Sequence, residues 1–132
     1  MKHEVLSLDA EFDDAIARVT QALGNNGFGV ITRIDMDQTF QEKLGVEFPR
    51  YVILGACNPQ LAHKAVSAVP EIGLLLPCNI VVEKTGSGVQ VRIPDAGDLL
   101  GGAGLEDSPA LAELASDAQS RLKGVAQELR AA

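Results

Sequence analysis

The chain has 132 residues, 46% hydrophobic and 22% charged, which is ordinary globular usage and excludes a disordered chain. Eleven Lys and Arg stand against 18 Asp and Glu, a net charge of -7 that disfavours nucleic acid or an anionic membrane as partner. No stretch approaches the roughly 18 apolar residues of a membrane span, and the start MKHEVLSLDAEF lacks the apolar run of a signal peptide, so a cytoplasmic location is expected.

His3 to Leu8 reads as a strand. Asp9 is placed to cap a helix, and Glu11, Asp13 and Asp14 put negative charge on the positive end of its dipole. Phe12, Ile16, Val19 and Leu23 form one apolar helical stripe, which the segment Gly24-Asn25-Asn26-Gly27 terminates. Phe28 to Ile34 is a second strand. Asp37 to Leu44 is a short helix with Phe40 and Leu44 inward and Gly45 at its end, and Tyr51 to Ala56 is a third, strongly apolar strand.

Asn58-Pro59 opens the next helix with an N-cap side chain and the proline tolerated at the first helical position. This helix runs to about Ala68 and is closed by Pro70, while Glu71 to Leu76 fits either a turn or a short buried segment. Ile80 to Thr85 and Val89 to Ile93 flank Gly86-Ser87-Gly88 as a hairpin. Pro94 to Asp107, with Gly97, Gly101, Gly102 and Gly104, reads as a flexible loop. Ser108-Pro109 then repeats the cap-plus-proline signal before a final helix with a seam of Leu111, Leu114, Ala118, Leu122, Val125 and Leu129. That seam either covers the sheet or pairs in part with a second subunit. No repeat or linker divides the chain, so residues 1–132 are expected to form one α+β domain. The expected architecture is a two-layer sandwich, a mostly antiparallel sheet with the first, third and final helices packed on one face.

Three blocks carry a family resemblance: GFGVITRID from Gly27 to Asp35, YVILGACNPQLAHKA from Tyr51 to Ala65, and PEIGLLLPCNIVV from Pro70 to Val82. They resemble the bacterial and archaeal "domain of unknown function 302" family, and with Ile93 to Asp95 and the last helix the likeness covers nearly the whole chain. The resemblance implies a compact α/β sandwich that tends to dimerise, and no established activity. Together with the apolar seam it leads to an expected homodimer.

Cys57 and Cys78 are the only cysteines, each followed by asparagine. Their separation fits neither a CxxC redox pair nor half of a zinc site. Cys57 lies before the helix start at Asn58, where unpaired N–H groups and the dipole favour a thiolate. Cys78 begins an apolar strand, where desolvation favours the neutral thiol. The plainer account makes both small core residues, and a permanent disulfide is at odds with a reducing compartment. Asn58 can satisfy its own helix end, whereas Asn79 needs a partner in the turn near Pro77 or in a ligand.

Other chemistry is weaker. His63 falls on the solvent side of its helix, away from the thiols, so a Cys57, Cys78 and His63 metal site is not expected, and His3 adds little. Asp35 and Asp37 resemble a carboxylate pair for a divalent cation but are better read as a strand end and a helix cap. Asp95 and Asp98 lack the ladder of a calcium loop, and the glycine-rich run lacks the Lys-Ser/Thr of a phosphate loop. No cofactor, metal or catalytic set is therefore expected. The leading expectation is a small binding module with a pocket at Cys57, Asn58, Cys78 and Asn79 for a small anionic or thiol-reactive ligand. The alternative is a thiol-redox protein or enzyme, with Cys57 attacking and Cys78 resolving, though no histidine is placed as its base. A scaffold that binds a partner and no ligand is a third class.

Overall fold

A computed structural model describes residues 1–101 and 108–131 of the chain. Among these residues five strands are formed: β1 (His3–Leu8), β2 (Gly29–Asp35), β3 (Tyr51–Cys57), β4 (Cys78–Thr85) and β5 (Gly88–Pro94). They make one sheet in the order β1-β5-β4-β3-β2, with every neighbouring pair antiparallel. The helices are α1 (Phe12–Asn25), α2 (Met36–Leu44), α3 (Pro59–Ala68), α4 (Ala96–Gly101) and α5 (Pro109–Ala131), with a 3₁₀ turn at Pro70–Leu75. The result is an α+β sandwich.

Alternation along the strands decides which face is covered. Leu6, Leu8, Val52, Leu54, Ile80, Val82, Val89 and Val91 all point to one side and are buried. There they meet the stripe of α1 and the C-terminal half of α5, whose Ala118, Leu122, Val125 and Leu129 complete the main core. β1 and β2 are the two sheet edges, so the intervening α1 crosses the central strands and touches β2, β4 and β5. The N-terminal half of the α5 seam, Leu111 and Leu114, instead joins Leu61, Ala65, Ile72 and Leu100 in a second cluster. The third helix thus packs chiefly on α5 and the 3₁₀ turn, extending the helical layer beyond the sheet.

Several local expectations are corrected. α1 is capped at Glu11, without a side-chain bond, and not at Asp9. The turn out of β1 needs Asp9 to Glu11 because Ala10 packs against the core and Phe12 must open the buried stripe. Leu44 is 70% exposed. α2 packs chiefly on β3, and the Phe40 ring meets Phe48 edge-on at 5.1 Å, while Leu44 on the last turn stays in solvent. Residues Ala96–Gly101, expected in a loop, form α4: Asp95 Oδ1 accepts the Asp98 N–H at 2.8 Å, and Ala96 and Leu100 are buried. Gly102 and Gly104 lie outside the described residues.

The hairpin closes as expected. Thr85 pairs with Gly88 around Gly86-Ser87, and Gly86 has a φ of 40°, a conformation that disfavours other residues. β2 carries a bulge at Ile31, which leaves that residue unpaired and 61% exposed on the sheet edge.

Candidate functional site

Three of the four expected site residues meet at one end of the sheet. Cys57 ends β3, and Cys78 starts β4 opposite Ala56, so the two thiols are diagonal neighbours across the ladder. Both are free and half-buried. They line one crevice with Asn58, Phe28, Leu61 and Leu114, and its volume is about 20 Å³. That is room for about one water molecule. Burial pushes the Cys78 thiol up, and the neighbouring Cys57 pushes it further the same way.

Asn58 is fully engaged by backbone. Its Oδ1 accepts the Leu61 N–H at 3.1 Å, which caps α3, and its Nδ2 donates to the Gly27 carbonyl at 2.9 Å. Gly27 sits at a φ of 87°, and a Cβ there would overlap the Arg121 guanidinium, which itself donates to the Asn26 carbonyl. These contacts join the α1–β2 turn to α3 and α5. Neither histidine lines the thiol crevice: His63 is exposed on α3 beside Lys64, and His3 lies on the far side of the sheet.

Asn79 is separated from the other three because successive strand residues point to opposite faces. It lies on the face that the helical layer leaves open and lines a groove of about 500 Å³. The groove's floor is Asn79 and Val81 of β4 with Arg92 of β5. One wall is the run Leu74 to Pro77; the other comes from Met1, His3, Pro94 and Leu99. Ladder pairing places Val5, Arg92 and Val81 side by side, and the same row continues through Ile53 to Ile34. An antiparallel sheet with one wet face ordinarily puts polar residues there. Here four of the five positions are aliphatic, with Val5 and Ile34 exposed.

Arg92 is held in place on this floor. Its Nε and Nη2 donate to Glu83 Oε1 at 3.0 and 2.9 Å, and Nη2 also reaches Gln90 at 3.4 Å. Nη1 faces His3 Nε2 at 3.3 Å, while His3 Nδ1 lies 2.9 Å from the Met1 carbonyl. A carbonyl only accepts and a guanidinium only donates, so the proton of this imidazole is on Nδ1 and Nε2 is the acceptor.

The carboxylates weighed as cation sites, Asp35, Asp37, Asp95 and Asp98, are engaged by structural partners. Arg33 donates to both oxygens of Asp35, at 2.8 and 3.1 Å, and this bond holds the Asp35 carboxyl below the usual range despite some desolvation. Arg50 lies between Asp13, Asp35 and Asp37 at 3.5, 3.9 and 3.7 Å and stacks over the Phe12 ring at 4.4 Å. Asp37 accepts the Tyr51 N–H at 3.1 Å. Asp95 caps α4 and accepts from Gln119, and Asp98 accepts the Lys2 N–H at 3.1 Å. Among the described residues, no group of three or more His, Cys, Asp or Glu side chains could hold a metal ion, and no helix is long and apolar enough to cross a membrane.

Reading single strands misses the groove, since its lining comes from β1, β4, β5, α4 and the 3₁₀ turn. The signal that was available is the outward placement of Arg92 in the alternating run Val89 to Ile93, next to an apolar outward neighbour. Which neighbour that is depends on register.

The family described as "Domain of unknown function DUF302" matches residues 3–129. The crystal structure of an uncharacterized conserved protein DUF302 from Bacillus stearothermophilus superposes with a TM-score of 0.83 at 30% sequence identity. The match covers 97% of this chain and 98% of that one. No curated protein matches the chain significantly.

Proposed function

The chain belongs to the DUF302 family, and from that premise we propose that it is a small binding module whose ligand lies in the groove on the open sheet face. The single observation that carries this reading is the groove itself. Its 500 Å³ is within the roughly 300–1,000 Å³ of ordinary small-molecule sites, and its lining is mostly apolar with a few convergent polar groups. The crevice at the thiols, at about 20 Å³, has no such room. Asn79 joins the two readings, as the one expected site residue that lines the groove. The test uses an uncharged fluorescent probe, N-phenyl-naphthylamine. The protein should bind it with enhanced emission, and Asn79→Tyr, which fills the floor from an exposed position, should abolish that signal. Unchanged binding in the variant refutes the reading.

A homodimer in the cytoplasm belongs to the same proposal. The α5 seam is consumed within the chain, so it is not the surface a second copy would use. Exposed apolar residues remain at Ile31, Ile34, Leu44, Val46 and Phe48, on edge strand β2 and the segment around the end of α2. A second copy pairing along that edge would cover them. Sedimentation at micromolar concentration should give a dimer that Ile34→Lys dissociates; a monomer throughout ends the idea. Free cysteines suit a reducing compartment.

The thiol-redox reading, Cys57 attacking and Cys78 resolving, is supported by the shared crevice. A fast-reacting Cys57 in the folded protein is its test.

A further inference from the structure

The geometry points to a specific class of occupant for the groove: a small amphipathic anion of the carboxylate type, its head on Arg92 and its apolar body along the leucine wall. This rests on the groove reading above and adds to it the charge and orientation of the ligand.

Charge complementarity is the first support. Among the described residues, Arg92 is the one Lys, Arg, Asp or Glu side chain lining the groove, so no described carboxylate lines it. Glu83 stands on the same open face two residues along β4 from Val81, outside the groove's lining, and grips the Nε–Nη2 edge of the guanidinium. That grip fixes the plane of the group and turns its Nη1 edge towards His3. Donor accounting is the second support. A guanidinium has five N–H groups. Those on Nε and Nη2 meet Glu83 and Gln90, and one on Nη1 meets His3 Nε2. The second N–H of Nη1 has no protein acceptor among the described residues, and Arg92 is 39% exposed on this face. A charged donor held rigid, open to solvent and bordered by apolar side chains recognises an anion more strongly than any neutral acceptor.

The apolar part follows from the ladder. Val5 and Val81 flank Arg92 at the spacing of adjacent strands, about 4.8 Å. Asn79 lies two residues along β4 from Val81 on the same face, about 7 Å away. A chain or ring system leaving the anion across Val81 therefore meets Leu74 to Leu76 and ends near Asn79. Leu74 is 88% exposed, and burying such surface supplies the apolar share of affinity.

The experiment compares two fluorescent probes of similar body, anilinonaphthalene sulfonate and uncharged N-phenyl-naphthylamine, on the wild type, on Asn79→Tyr and on Arg92→Gln combined with Glu83→Gln. The paired substitution removes the cation without stranding its carboxylate. The sulfonate should bind about tenfold more weakly to it, the loss expected for one charge-assisted hydrogen bond, while the neutral probe is unaffected. A second measurement needs no variant: on the wild type, decanoate should displace the sulfonate probe at about tenfold lower concentration than decanol. Equal displacement by acid and alcohol, with both probes still lost in Asn79→Tyr, overturns the anion and leaves the groove standing. Probes that ignore Asn79→Tyr overturn the groove reading and this inference together.

Discussion

Replacing Gly55 with alanine should destabilise the protein by about 1–2 kcal/mol, against the preference of the local backbone. Gly55 lies within β3 and has no positive φ. Alanine at such a site ordinarily gains about 0.4–1 kcal/mol by restricting the unfolded chain. Space decides otherwise. Gly55 is paired with Thr32 on one side and Asn79 on the other. A Cβ there would overlap Thr32 Oγ1 and come within 2.8 Å of Pro77 Cγ. Overpacking of this kind costs about 1–3 kcal/mol, so repulsion exceeds the entropic gain. At about 2.1 cal/mol/K of unfolding entropy per residue, a loss of about 1.5 kcal/mol lowers Tm by roughly 5 °C. Urea and thermal unfolding followed by circular dichroism measure both. Thr32→Ala removes the hydroxyl, so the double variant should recover about 1 kcal/mol relative to the sum of the singles. A Gly55→Ala protein as stable as wild type, or strictly additive effects, would refute the reasoning.

Four further outcomes are expected. Asn58→Ala loses both the α3 cap and the bond to the Gly27 carbonyl, and should cost about 1–2 kcal/mol in urea unfolding. Burial raises the Cys78 thiol, so mass-spectrometric mapping should find it slow to alkylate in the folded protein, and Cys57→Ser should remove whatever fast reaction exists; equal sluggishness at both sites leaves only the packing role. The same shift has a pH signature: a group titrating higher when folded contributes stability at neutral pH that is lost as pH rises through its folded value, so Cys78→Ala should flatten the alkaline fall in Tm. Asp35 has the opposite sign. The Arg33 bond lowers its folded value, so its contribution is present above the unfolded pKa and lost as pH falls through the folded one; Asp35→Asn should flatten the acid limb.

Local chemistry was enough to determine most elements of this chain. Asn58-Pro59 and Ser108-Pro109 mark the starts of α3 and α5 because a side-chain acceptor and a missing N–H both suit a helix's first turn. The six seam positions of α5 are all buried because a 3.6-residue period puts them on one side. Local signals failed where packing outweighed them. Gly97 and Gly101 argue against a helix at α4, yet the Asp95 cap and the burial of Ala96 and Leu100 establish one. Leu44 follows Phe40 at helical spacing and is still exposed, because spacing places a side chain on a face without supplying anything for that face to touch.

The site depended on tertiary structure for the same reason. Alternation tells which residues of a strand share a side, and nothing about the strand beside it. That Arg92 stands between Val5 and Val81, with the leucines before Pro77 closing over them, is a property of register and strand order, set by contacts between segments far apart in the chain. The cysteines could be placed at strand ends from sequence, but the closeness of the walls around them could not. Packing density is decided by every side chain that meets there, and at Cys57 and Cys78 those come from Phe28 before β2, from α3, from Leu76 and Pro77 after the 3₁₀ turn and from α5, as well as their own strands.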